Sequence, residues 1–146
     1  MERRPRCIAS IPKIQALLSQ ARVKGLTVIF THYAGTAAGD ILKEVAPSAG
    51  EVVLGGTTGD KFIRTDLENM LKDKGIKTVV IVGAAAEAAV LLTGSAAAMR
   101  GFDVIVPIDG VSSSHIYAEQ YTAWHFKNAP TVSQRVTLTR IDLIGY

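Results

Sequence analysis

A single cysteine, Cys7, is all the chain contains, so no intramolecular disulfide can form and a stapled extracellular scaffold is excluded. No apolar run approaches the roughly 20 residues that a membrane-spanning helix needs. The opening MERRPRCIAS is basic but has no long apolar stretch behind it, so it does not read as a secretory signal. Together these point to a reducing cytoplasm and to no membrane partner. Charge of one sign is also scarce. The net charge is +3, and four of the sixteen basic residues (Arg3, Arg4, Arg6 and Arg140) stand at or near the ends. Elsewhere bases alternate with acids, as in Lys72-Asp73-Lys74. Nucleic acid calls for a clustered basic face, and none is present. Repeats, low-complexity tracts and linkers are absent as well.

What is there fits one domain spanning residues 1–146. The chain has 146 residues, 48% hydrophobic and 20% charged, enough for a substantial core. A helix is expected with Ser10 as its cap and Pro12 in its first turn. Ile11, Ile14, Leu17, Leu18 and Ala21 line one face, and Gly25 ends it. Leu26 to Thr31 reads as a buried strand, Asp40 to Val45 as a weak short helix, Pro47 to Gly50 as a turn, and Glu51 to Leu54 as a second strand. Thr65-x-x-Glu68 has the form of a capping box, with Leu67, Met70 and Leu71 on the apolar face of the helix it opens and Gly75 closing it. The β-branched run Thr78 to Val82 suits a strand covered on both faces. A helix from Glu87 to Arg100, a strand at Val104 to Val106, a turn at Asp109-Gly110, a helix from Ser114 to Asn128 and a strand at Val136 to Leu138 complete the series. Strands alternating with helices at these intervals give an α/β fold: a mostly parallel sheet with helices on both faces, forming a three-layer, Rossmann-like αβα sandwich.

Ligands of such sheets bind beyond the carboxyl ends of the strands, which directs attention to Thr31-His32-Tyr33, Gly55 to Phe62, Gly83 to Glu87 and Pro107 to His115. The loop Gly55 to Lys61 lacks phosphate-loop spacing, because Asp60 separates Gly59 from Lys61, and a flexible connection is the better reading. Gly83-Ala84-Ala85-Ala86 lacks the further glycines of a dinucleotide fingerprint, so no cofactor is expected. Small residues there still allow close backbone approach at a helix start. His32, His115 and His125 have no paired spacing, so no metal is expected either. Ser112-Ser113-Ser114 reads as a cap-and-turn cluster. Tyr117, Tyr121, Trp124 and His125 follow helical spacing, as core or subunit interface residues do.

Phe62, Thr65, Leu67, Gly75, Gly83, Val90, Thr93, Gly101 and Asp109, in that order, resemble the pattern of the isochorismatase-like superfamily, the cysteine hydrolases. Ala21-Arg22-x-x-Gly25 and Thr31-His32 extend the resemblance to nearly the whole chain. It implies hydrolysis of small amides or of an enol ether by an Asp–Lys–Cys triad. It also implies a cis peptide and helix-start N–H groups that form an oxyanion hole. The chain departs at each triad position. Ala89 stands in the cysteine slot directly before Val90. No lysine lies between Leu54 and Asp60, and Lys61 is adjacent to Phe62 and out of register. The first family strand, which carries the aspartate, is missing, and Arg6 to Ala9 or a neighbouring subunit is expected to fill its place. What the resemblance leaves is a pocket frame of Ala84, Ala85, Ala88 and Ala89, walled by Thr31, His32, Lys61 and Phe62.

Three functions follow as expectations. The first is a member without cysteine-based hydrolysis that binds a small carbonyl or carboxylate compound in this residual pocket. The second is a hydrolase of small amides or enol ethers using another nucleophile or an activated water, with His32, Asp60, Glu87 or His115 as base. The third is a structural protein that assembles through the aromatic helix. A homo-oligomer, dimer or higher, is expected in each.

Overall fold

The computed structural model describes residues 5–146. Helix α1 (Pro5–Val23) is longer than its apolar pattern suggests. Ser10 is not its cap: the Ser10 hydroxyl donates back to the Cys7 carbonyl inside the helix (2.7 Å). Pro12 lies in the helix interior and has no N–H to offer the Ile8 carbonyl. The expectation that Arg6 to Ala9 forms a strand is therefore overturned. These residues are instead the first turns of α1, and Arg6 reaches from there to Glu119, donating to both carboxylate oxygens (2.8 and 2.9 Å). Lys13 pairs with Asp109 and Arg22 with Glu51, so three ion pairs pin the helix along its length. The Arg6 pair is partly exposed, and such pairs contribute less than about 1 kcal/mol. Arg6→Ala is thus expected to speed amide exchange in the first two turns of α1 while the global unfolding midpoint hardly moves; exchange monitored by mass spectrometry checks this.

Gly25 ends α1 at φ +67°, as its position predicts, and the Leu26 amide closes back on the Ala21 carbonyl (2.9 Å). Strand β1 (Ile29–Tyr33) starts three residues later than expected, since Leu26 is half exposed and serves the helix end instead. Two short 3₁₀ turns, Ala38–Asp40 and Lys43–Val45, replace the weak helix. β2 (Val52–Thr57) runs parallel to β1. Helix α2 (Leu67–Asp73) follows Asp66. Its capping box does not form. The Glu68 carboxylate is taken by Lys72 and by Arg100, and the Thr65 hydroxyl donates to the Lys61 carbonyl (2.6 Å).

β3 (Thr78–Val80), β5 (Asp103–Pro107) and β7 (Val136–Thr139) form one parallel ladder, with β5 in the centre. β4 (Gly83–Ala84) and β6 (Val111–Ser112) form a short parallel pair beyond it. A π-helical turn, Ala86–Val90, leads into α3 (Leu91–Met99), and α4 spans Ile116–Asn128. The fold is thus a parallel α/β arrangement, but its sheet is divided. Among the described residues β1 pairs only with β2, and β3 only with β5. Flanking β3, the Lys77 carbonyl and the Ile81 amide serve β5, so the ladder turns the backbone N–H and C=O groups of Thr78 and Val80 to the unpaired side. Val80 is 40% exposed there, although its type suits a covered strand.

The core gathers Phe62, Leu67 and Leu71 with Val90, Ala96 to Ala98 and Phe102, the β5 residues Val104 and Val106, and Phe126, Val132 and Val136. Alanines on α3 let it lie close to the sheet. No helix of the described residues is long and apolar enough to cross a membrane.

Candidate functional site

The turn after β3 carries the chemistry that small residues permit. A cis peptide joins Ala84 to Ala85, the pair at which the resemblance places one. The chain then winds into the π turn, where the Ala85 carbonyl accepts from both the Ala88 amide (3.2 Å) and the Val90 amide (3.3 Å). The Ala88 N–H is therefore spent on the backbone, contrary to its expected place in an oxyanion-type pair. The Ala89 amide has a different neighbour, the hydroxyl of Tyr33 at the end of β1. Burial raises the Tyr33 pKa above its ordinary value, the Ala89 amide opposes this by favouring the phenolate, and the Glu87 charge adds to the rise.

Over the Tyr33 ring lies the Lys61 ammonium, 3.7 Å from the ring centroid. Lys61 is 4% exposed, and its Nζ donates to the Thr57 hydroxyl (2.9 Å) and the Thr58 carbonyl (2.7 Å). Thr57 is itself buried, and its hydroxyl donates to the His32 carbonyl (2.7 Å). The Lys61 backbone amide donates to the Thr93 hydroxyl (3.1 Å), and Thr93 donates onward to the Gly59 carbonyl (3.2 Å). This ties the loop after β2 to the first turn of α3. Among the described residues no carboxylate pairs with Lys61, and burial alone pushes its pKa below the ordinary lysine value. A long side chain thus carries the ammonium back four residues to Thr57, despite the out-of-register position of Lys61 in the sequence.

The other expected residues divide. Thr31 and Tyr33 share a side of β1 by alternation, with His32 on the opposite side. The His32 ring sits over Gly55, where an added Cβ would be 2.6 Å from Nε2, and its Nδ1 lies 3.1 Å from the Thr36 hydroxyl. Asp60 is committed locally, accepting from the Phe62 amide (2.9 Å). Glu87 is exposed on the π turn, close enough for its charge to act on Tyr33. His115 is exposed directly before α4, its amide bonded to Ser113 Oγ (3.4 Å). Phe62 is buried in the core, its ring stacked on Phe102 at 6.2 Å. Tyr33 and Thr57 were the residues sequence reasoning did not single out, since nothing local marks a tyrosine and a threonine separated by 23 residues as neighbours of one lysine. No three His, Cys, Asp or Glu side chains among the described residues are placed to hold a metal ion. Two cavities lie apart from this cluster, one of about 270 Å³ against α4 and one of about 370 Å³ between α1 and the C-terminal turn.

Comparison with known proteins supports the resemblance. The isochorismatase domain model matches residues 1–136. A secreted isochorismatase effector of Verticillium dahliae is 32% identical over 120 residues, covering 74% of this chain and 62% of that protein. A maleamate amidohydrolase of Pseudomonas putida is 27% identical over 135 residues, covering 76% of this chain and 63% of that protein. The chain therefore spans less than two thirds of either relative's length. Among solved structures, an N-carbamoylsarcosine amidase from Thermoplasma acidophilum shares the fold with a TM-score of 0.84 at 24% identity, over 97% of this chain and 88% of that one.

Proposed function

Since this chain belongs to the isochorismatase family, we propose that it binds a small carbonyl or carboxylate compound between Lys61 and Ala89 and does not carry out cysteine-based hydrolysis. The observation that carries this reading is the buried Lys61 ammonium, whose described polar partners are two neutral oxygens. A buried cation without a counter-charge gains most from an anion entering its low-dielectric surroundings. The Ala89 amide, in the turn that opens α3, adds a donor aligned with the helix dipole. A ligand oxygen would take the place now held by the Tyr33 hydroxyl, so Tyr33 is the side chain that must yield.

Binding without turnover is favoured by what surrounds the nucleophile position. Ala89 offers a methyl group. Asp60 is held by the Phe62 amide, and His32 faces Gly55 and Thr36. The cysteine Cys7 fits a reducing cytoplasm, whereas one relative is a secreted effector, and the binding chemistry is the same in either place.

Maleamate and N-carbamoylsarcosine, which the names of one relative and one structural neighbour suggest, are suitable probes in calorimetric titration, with ammonia release assayed in parallel. Saturable binding with no ammonia is the expected result. Ammonia released by the unmodified protein would overturn the non-catalytic part, and no binding by any probe would overturn the ligand class. The site's electrostatics can be read separately by placing a thiol there. Ala89→Cys is expected to react with iodoacetamide about tenfold faster at neutral pH than Cys7 does, because a cation and a helix start lower a thiol pKa by a unit or more. Equal labelling rates at the two cysteines would argue against a positive field at residue 89.

A further inference from the structure

Among the described residues the Lys61 nitrogen has three neighbours and no counter-charge. Two of them are oxygens that can only accept from it. The Thr57 hydroxyl has spent its one hydrogen on the His32 carbonyl, and the Thr58 carbonyl has none to give. The third neighbour is the face of the Tyr33 ring, 3.7 Å from Nζ to centroid. When the nitrogen gives up a proton, both oxygens still take a hydrogen from it. The lone pair of the free amine is therefore left on the side of the Tyr33 ring. The hydroxyl of that same ring occupies the Ala89 amide, so a lone pair and an N–H donor stand on either side of one tyrosine. Tyr33 ends β1 where the register with β2 shifts, and it is 37% exposed, so its ring has solvent to turn into.

We propose that the Lys61 amine captures a small aldehyde or ketone as a reversible imine, the carbonyl oxygen seating on the Ala89 amide in place of the Tyr33 hydroxyl. This capture rests on the binding site proposed above and gives that site a covalent chemistry. The nitrogen lone pair forms a C–N bond while the π pair of the carbonyl moves onto oxygen, where the Ala89 N–H meets the developing charge. One N–H proton passes to that oxygen, giving a carbinolamine. The hydroxyl then leaves as water with the remaining N–H proton, and a C=N bond takes its place. Burial favours this use of the side chain, because it holds the Lys61 pKa below the ordinary lysine value and so raises the share of free amine at neutral pH. Lys13 and Lys72, by contrast, are tied as cations to Asp109 and Glu68. The ammonium remains the form that attracts a carboxylate, and the amine is the form that reacts.

The probe is glyoxylate, an aldehyde that also carries a carboxylate. Cyanoborohydride reduces any imine to a carboxymethyl amine, and peptide mapping by mass spectrometry finds it. A lysine of ordinary pKa is free amine to only about one part in a thousand near neutral pH. Lys61 is therefore expected to be carboxymethylated several-fold ahead of the other lysines. Its lead should narrow as pH rises toward 10.5, where the others gain free amine too. Maleamate, which has no aldehyde or ketone, should slow labelling at Lys61 by occupying the site. Tyr33→Ala, which takes the ring away from the lone pair, should quicken labelling at Lys61 and at no other lysine. Lys61→Arg keeps the charge but forms no imine, and should lose the leading label with the rest unchanged. Labelling of Lys61 level with or behind the exposed lysines, while calorimetry shows saturable glyoxylate binding, overturns the imine and leaves the binding reading standing. Neither labelling nor binding overturns both. An unchanged rate in a Tyr33→Ala variant that is folded by circular dichroism also overturns the imine, since the lone pair would then lie elsewhere.

Discussion

Lys61→Met is expected to weaken carboxylate binding about 10- to 100-fold while making the folded state more stable at neutral pH. The binding loss follows from removing one charge-assisted hydrogen bond in a buried setting, on the order of 1.5–3 kcal/mol. The stability argument runs the other way. Methionine is close to lysine in length and needs no desolvated charge. Thr57 keeps its bond to the His32 carbonyl, and Thr58 is exposed, so water can replace the lost donor there. The pH dependence separates the charge from the packing. Burial lowers the folded-state pKa of Lys61 below its ordinary 10.5, so in the interval between the two values the unfolded chain holds more protons than the folded one. Below that interval the ammonium imposes a constant penalty on folding, and the penalty is relieved as pH rises toward 10.5. The difference between wild-type and variant urea midpoints, followed from neutral to alkaline pH, should therefore shrink as pH rises. A difference that is flat in pH would mean that Lys61 ionises as freely in the folded protein as in water. A large stability loss at neutral pH would mean that its two hydrogen bonds outweigh its desolvation.

Gly94→Val should lower stability by about 3 kcal/mol, with a melting temperature lower by about 6–12 °C. A Cβ at residue 94 would stand 2.6 Å from Phe126 Cζ, 2.8 Å from its Cε1 and 3.7 Å from Ile81 Cδ1. Phe126 is completely buried, with His125 edge-on at 6.0 Å, so the ring has nowhere to rotate. Valine in a helix is better than glycine by only a few tenths of a kcal/mol, far short of the overpacking cost. The contact is a single pair, which makes it testable by a double-mutant cycle. Phe126→Leu removes the ring atoms that clash, so the double variant should be more stable than the sum of the single losses implies, by at least about 1 kcal/mol. Simple additivity in thermal unfolding would place the strain elsewhere.

These two residues also show how unevenly the molecule can be read from its sequence. The alternation of elements was legible because it rests on local signals. β-branched runs form strands β3, β5 and β7, and glycines free to take positive φ end α1 and α3 at Gly25 and Gly101. Gly94, inside α3, carries no such local meaning, since its reason is a ring 32 positions away. The capping box at Thr65 and Glu68 failed in the same way: two basic residues, one of them Arg100, bid more strongly for the carboxylate than the backbone did. At the site, the resemblance located the Ala84–Ala85 peptide and the alanine at residue 89. The reach of the Lys61 ammonium back to Thr57 was not legible, because residue order does not measure how far a four-carbon side chain can extend.

The sequence by itself determined an α/β chain of parallel strands, its element order, and the absence of a cysteine before Val90. Periodicity, turn chemistry and residue identity act within a few positions of one another. Only the tertiary structure decided that Arg6 to Ala9 turn as helix, that among the described residues β1 and β3 each keep an unpaired side, that Lys61 is buried over Tyr33, and that Tyr117, Tyr121 and Trp124 on α4 are exposed. Each of these depends on contacts between residues far apart in the chain, where charge pairing, desolvation and packing volume compete only once the elements have met.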